Sequence, residues 1–261
     1  MTGDPLTYGS YLRLDELLSL QDPRSDEHDE ILFIVIHQVY ELWFKEILHE
    51  LDFLDRRLEA GDLPMALHTL KRILTVLKIV VAQTDVLETM TPVDFTSFRD
   101  RLETASGGQS WQFREIEFAL GIKDERVLLE FAEGSEARRR LETRFDQPTL
   151  WDALLRYLDR AGYEIPRAVM QRDVTTKVET SEELQRVLID VYREDRATAE
   201  LCERLVDLDE GFQEWRYRHI KMVERTIGTK RGTGGSSGVE FLKGTLWIQA
   251  FPDLWEIRGE L

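Results

Sequence analysis

From His28 to Leu58 the chain reads HDEILFIVIHQVYELWFKEILHELDFLDRRL, and its apolar positions recur at helical steps. Phe33, Tyr40, Phe44, Ile47 and Leu51 fall on one face, with His37 filling the gap between the first two. The spacing predicts a long helix with a histidine inside its apolar seam. A second periodic stretch covers about Leu63–Leu87. Thr91-Pro92-Val93-Asp94 then sets out a helix start, with Thr as N-cap, Pro at the first helical position and an acid two residues later. SWQFREIEFAL predicts a further short helix, and helical patterns resume over Pro148–Arg160 and Ser181–Ile227, with a break expected near Cys202–Asp209. GYEIPRAVMQRDVTT is the most loop-like connection. No alternating apolar and polar run is bounded by hairpin turns, which argues against a sheet. The expectation is a single all-α helical bundle over residues 1–261.

A second histidine sits in a second seam. In LVDLDEGFQEWRYRHIKMVERTIG, Leu208, Phe212, Trp215, His219, Met222 and Val223 follow one another mostly at three- and four-residue steps. Either histidine alone reads most simply as a core residue whose ring nitrogens are met by backbone or water. Two of them, with aromatic neighbours, also fit a flat apolar cofactor held by an axial histidine. No Cys-x-x-Cys-His occurs, so a haem there would be non-covalent. Other metals fit less well: Glu46 and His49 form one Glu-x-x-His where a di-iron bundle needs two, and one cysteine makes no zinc–thiolate cluster. Glu46 and His49 read instead as an ion pair on a helix face. Arg99, near Phe95 and Phe98, is either a snorkelling surface side chain, which periodicity favours, or a fork for a carboxylate.

Composition narrows the partners. A net charge of −16 disfavours nucleic acid and anionic membrane, and no basic stripe stands out. Cys202 is the lone cysteine and lies in a helical pattern, so it reads as an inert helix residue in a reducing compartment. The N-terminus lacks a basic and an apolar region of the secretory kind, and the longest apolar run, ILFIVI, is too short to cross a bilayer. A cytoplasmic location is expected. The stretch GTKRGTGGSSG at 228–238 matches neither a P-loop nor a dinucleotide fingerprint, because Lys230 precedes most of the glycines and position 237 is serine.

The stretches YGSYLRLDELLSLQ, HDEILFIVIHQVYELWFKEILHELD, VLETMTPVDFTSFRDRL, QSWQFREIE and RHIKMVERTIGTKRGTGGSSGVEFL resemble the tryptophan 2,3-dioxygenase family, in its order, from Tyr8 to about Leu242. Residues 122–200 carry little that is diagnostic. The resemblance implies an all-α bundle with haem b, one per subunit, buried between helices, in a homotetramer built as a dimer of dimers. It implies insertion of both atoms of O2 across the indole C2–C3 bond of L-tryptophan, giving N-formyl-L-kynurenine. By the same resemblance His219 is expected as axial iron ligand, and His37 on the distal side as partner of the indole N–H. Phe33 and Phe95 are expected to line the pocket with Ile34, Val35 and Ile36. Arg99 is expected to clamp the substrate carboxylate and Thr233 to meet its amino-acid end. Loop 228–238 then reads as a substrate lid, and residues 1–20, with Tyr8 and Tyr11, as a segment reaching a neighbouring subunit's site.

This chain departs from the family's pattern in places. Ser106-Gly107-Gly108-Gln109-Ser110 stands where the family usually has Ser-Gly-Phe-Gln-Ser, and Phe95 stands where some members have tyrosine. Ile36 and Thr229 also lie at positions that vary. Three alternatives stay open on the sequence: a monooxygenase acting on a tryptophan analogue in a biosynthetic pathway, a haem-binding protein without turnover, and an acidic helical bundle with no cofactor.

Overall fold

The computed structural model describes residues 5–233 and 238–261, with Phe241 described in its backbone alone. Among the described residues there is no strand, and eight helices have eight or more residues. They are α1 (His28–Glu59), α2 (Leu63–Leu87), α3 (Pro92–Arg99), α4 (Trp111–Leu120), α5 (Glu136–Phe145), α6 (Leu150–Arg160), α7 (Glu182–Glu194) and α8 (Arg196–Ile227). Helix α2 packs along both α1 and α8, the two 32-residue helices. At 1.5 Å per residue each of these is about 48 Å long, enough to form the frame of the molecule. Helices α4 and α6 lean on α1, and α7 on α8. Leu54, Leu58, Leu70, Ile73, Trp151, Leu205, Leu208 and Phe251 are fully or almost fully buried in one continuous core.

The helix starts follow local chemistry. At α3, Thr91 Oγ1 accepts from the Asp94 N–H at 3.3 Å while Asp94 Oδ2 accepts from the Thr91 N–H at 2.9 Å, the reciprocal cap its sequence predicts. The same box opens α6 through Thr149 and Asp152, here buried. Where α2 meets α8 the backbones come close: a Cβ on Gly211 would lie 2.6 Å from Leu77 Cδ2. A glycine is needed there for space.

Two expectations are corrected. No break occurs between Cys202 and Asp209; α8 runs unbroken, and the chain turns at Asp195, whose carboxylate caps α8 through the Ala197 and Thr198 N–H groups. Glu46 and His49 form no ion pair among the described residues; one turn further on, Glu50 instead receives Arg72 from α2 at 2.6 Å. No helix of the described residues is long and apolar enough to cross a membrane.

Candidate active site

A cavity of about 600 Å³ opens where the ends of several helices meet. Helix α1 supplies Phe33 and His37, the end of α2 Leu87, and α3 Phe95 and Arg99. Met90 and the turn from Ser106 to Gln109 continue the wall, with Arg114 from α4. From α8 come His219, Met222, Val223, Thr226 and Ile227, the face that the 3.6-residue period selects. Gly232, Thr233, Gly238 and Leu242 lie across the opening.

Phe33 is fixed by its neighbours: its ring centroid lies 4.1 Å from that of His37, 5.7 Å from Phe95 and 5.6 Å from Phe98. His37 Nδ1 lies 2.7 Å from the Phe33 carbonyl oxygen, which can only accept, so Nδ1 carries the proton and donates. Nε2 is then left with a lone pair. Burial holds the His37 pKa below its ordinary 6.5, against the opposing pull of the Phe33 carbonyl and Glu41. The ring is neutral at pH 7.

His219 is neutral as well, its pKa pushed down to about 4 by burial first, then by His37 and Arg114. Its ring stacks on Trp215 at 5.1 Å with 6° between the planes, and Trp215 rests on Phe113 at 4.6 Å. No protein group among the described residues hydrogen-bonds the His219 ring, and the buried Trp215 Nε1 also lacks a partner. A core histidine satisfied by backbone does not look like this. Two uncharged imidazoles with ring nitrogens to spare, facing one largely apolar cavity, fit a planar cofactor held by an axial nitrogen. No group of three or more His, Cys, Asp or Glu side chains capable of holding a bare metal ion occurs among the described residues.

The opening is more polar. Arg99 Nη2 donates to the Arg231 carbonyl at 2.6 Å, and its buried Nε has no partner. Thr233 Oγ1 donates to the Ala105 carbonyl at 2.6 Å. The described start of the glycine loop is thus tied at two points to the opposite wall. At its far end Gly238 takes φ +64°, and a Cβ there would lie 2.9 Å from the Lys230 carbonyl, so the two limbs meet only because this residue is glycine. Behind the cavity, Glu117 bridges Arg114 at 2.7 Å and the buried Arg216 at 2.9 Å, and Arg216 also donates to the Ile248 carbonyl.

The structure therefore brings together Phe33, His37, Phe95, Arg99, His219 and Thr233. Arg99 belongs to the cavity wall, not to the solvent-facing surface that periodicity favoured. Ile34, Val35 and Ile36 do not line the cavity: at about 100° per residue they turn away from the face that carries Phe33 and His37. Ile36 is buried in the core, and Val35 is exposed. Tyr8 and Tyr11 are 76% and 71% exposed and lie outside this chain's cavity. Residues 234–237 of the loop lie outside the described residues. Sequence reasoning missed Leu87, Met90, Arg114 and Leu242; loop and helix-end positions carry no period that marks them. Cys202 is fully buried with its thiol pKa pushed up to about 12, as an inert core residue requires.

Comparison with known proteins adds to this geometry. The family model described as tryptophan 2,3-dioxygenase matches residues 1–137 and 184–261. A protein named tryptophan 2,3-dioxygenase from Herpetosiphon aurantiacus is 59% identical over 258 residues, covering 98% of each chain. One of the same name from Anaeromyxobacter sp. strain K is 59% identical over 98% of this chain and 96% of its own. A third, from Caulobacter vibrioides, is 44% identical over 98% of both.

Proposed function

This chain belongs to the tryptophan 2,3-dioxygenase family, and from that premise we propose how its own residues carry the family's reaction. Both atoms of O2 are inserted across the C2–C3 bond of the indole of L-tryptophan, the ring opens, and N-formyl-L-kynurenine is formed, the first step of the kynurenine pathway. The family is haem-dependent, and we assign the haem here as haem b, one per subunit. When bound, the haem supplies the one-electron chemistry that allows triplet O2 to react with a closed-shell indole.

The observation that carries the reading is the pair of neutral histidines in one cavity with an arginine fork at its opening. His219 would hold the haem through its ring, since it has a ring nitrogen with no protein partner among the described residues and an aromatic backing that fixes the plane of its ring. His37 accepts the indole N–H at Nε2, because Nδ1 is committed to Phe33. Phe33 and Phe95 enclose the indole. A zwitterion entering an apolar site needs both charges met; Arg99 takes the carboxylate bidentately, and Thr233 meets the ammonium and carboxylate end. Residues 228–233 act as part of a lid that excludes water, exchanging the Arg99–Arg231 contact for substrate contacts. Phe95 has no hydroxyl to offer, which leaves Arg99 as the main carboxylate anchor.

Tyr8 and Tyr11, exposed here, complete the site of a neighbouring subunit in a homotetramer built as a dimer of dimers. A cytoplasmic location goes with this reading. The deciding experiment is the product mass from haem-loaded, reduced protein mixed with L-tryptophan and O2. A gain of two oxygen atoms is expected. A gain of one would make the protein a monooxygenase, and no product despite a haem spectrum would make it a non-catalytic haem protein.

A further inference from the structure

The turn Gly107–Gln109 forms part of the cavity wall, and two of its three residues are glycines. Glycine in a wall usually answers a demand of the backbone. Gly238, on the same cavity, is such a case, with positive φ and no room for a Cβ. Gly107 and Gly108 are not. Neither has φ in the left-handed region; a Cβ on Gly107 would meet nothing within 4 Å, and one on Gly108 only Ser106 Oγ at 3.6 Å, an ordinary contact. The turn also holds itself without them: the Gly108 N–H donates to Ser106 Oγ, and the Ser106 N–H to Gln109 Oε1, each at 3.3 Å. What these glycines leave is room for a side chain along the wall, beside the half-buried Gly108 more than the exposed Gly107.

On the assignments proposed above, the substrate's carboxylate and ammonium go to Arg99 and Thr233, and the indole N–H goes to His37. The carbocyclic edge of the indole is left without an assigned neighbour, and the Gly107–Gly108 turn is a stretch of the wall that presents no side chain to it. We propose that Gly108, with Gly107 beside it, is a specificity-determining position that admits tryptophans bearing a small apolar substituent, a methyl group or a chlorine, on the carbocyclic ring. The inference rests on the tryptophan-binding reading of this cavity, but it concerns discrimination between ligands.

The test is a ladder of Gly108→Ala, Gly108→Val and Gly108→Phe holoenzymes, with Gly107→Ala beside them. For each, kcat/KM and the equilibrium Kd, read from the Soret shift of the ferric form, are measured for L-tryptophan and its 5- and 6-methyl and 5- and 6-chloro derivatives. Haem content is read from the Soret absorbance. In the unaltered protein at least one substituted ligand is expected to match tryptophan. The ratio of substituted to unsubstituted ligand is expected to fall through the ladder, by about tenfold or more at valine, the scale on which a pocket excludes one methyl group. A ratio that stays constant across the ladder overturns the proposal. So does loss of haem in Gly108→Phe with an unchanged ratio in Gly108→Ala and Gly108→Val, since the space would then belong to the cofactor. If L-tryptophan is bound but not converted, the catalytic reading fails while the Kd ratios still decide this one.

Discussion

Burial keeps His37 and His219 uncharged at neutral pH, and an uncharged imidazole still has a lone pair to give. What separates their roles is the second nitrogen. On His37 it is spent on the Phe33 carbonyl, so the ring can only accept at its free end; on His219 no protein partner competes. Replacing His219 by alanine is therefore expected to abolish haem retention, seen as loss of the Soret band after purification; a variant that purifies with full haem and an ordinary spectrum would overturn the axial assignment. His37→Ala should keep its haem. A histidine with a lowered pKa is a poor base, so its expected share is one oriented hydrogen bond, a loss of about tenfold in kcat/KM, whereas a loss of several hundredfold would mark it as a general base. Arg99→Lys keeps the charge but loses the fork. It should raise KM for tryptophan about tenfold or more while kcat changes less, and an unchanged KM would remove Arg99 from the substrate site.

At the scale of elements, the buried cap of α6 shows how one acid holds a helix and a distant loop together. Burial alone would raise the Asp152 pKa, but hydrogen bonds from Arg172 and from the Thr149 N–H and hydroxyl outweigh it and hold the carboxyl below the usual 3.8. The folded state thus binds its proton later than the unfolded chain as pH falls. The stabilisation is full above the unfolded value and is lost as pH drops through the folded one. The gap in urea midpoint between the unaltered protein and Asp152→Asn should be wide at pH 6 and close progressively below pH 4, and a gap that ignores pH would refute this. Gly211→Ala should cost about 1–3 kcal/mol in a urea titration, since it presses a Cβ on Leu77 in a packed seam. Much of this layer was legible in the chain. Helices α1 and α2 begin and end within a residue or so of where their periods place them, α3 begins at its predicted cap, and both seam histidines reach the cavity. The break expected near Asp209 was not there for a tertiary reason. That buried acid is satisfied by the Ala250 and Phe251 N–H groups and by Trp255 Nε1, forty or so residues away, so its charge does not interrupt α8. Arg99 is similar: it lines the cavity with its guanidinium on the Arg231 carbonyl, 132 residues further along. Periodicity carries no trace of a partner at that distance.

At the scale of the whole molecule, a surface with a net charge of −16 also carries apolar groups that water does not favour. Leu6, Tyr8, Tyr11, Leu18 and Leu20 are exposed along the N-terminal segment, and Ile31, Val35 and Leu42 form an exposed row on α1. Like charge drives copies of this chain apart, so an assembly would have to be held by burying such apolar area against its own counterpart. The N-terminal segment suits that task, because few of its own chain's core residues depend on it: its two short helices contain no buried residue. Removing residues 1–20 should therefore leave helicity and haem content nearly intact while lowering the mass in solution. If Tyr8 and Tyr11 enter a neighbour's site, the same truncation should also raise KM for tryptophan about tenfold or more, the scale set by losing one large aromatic contact from a closed pocket. A truncated protein of smaller mass with unchanged KM would keep the assembly role and remove the tyrosines from the site. One of unchanged mass and unchanged KM would leave the segment with neither function.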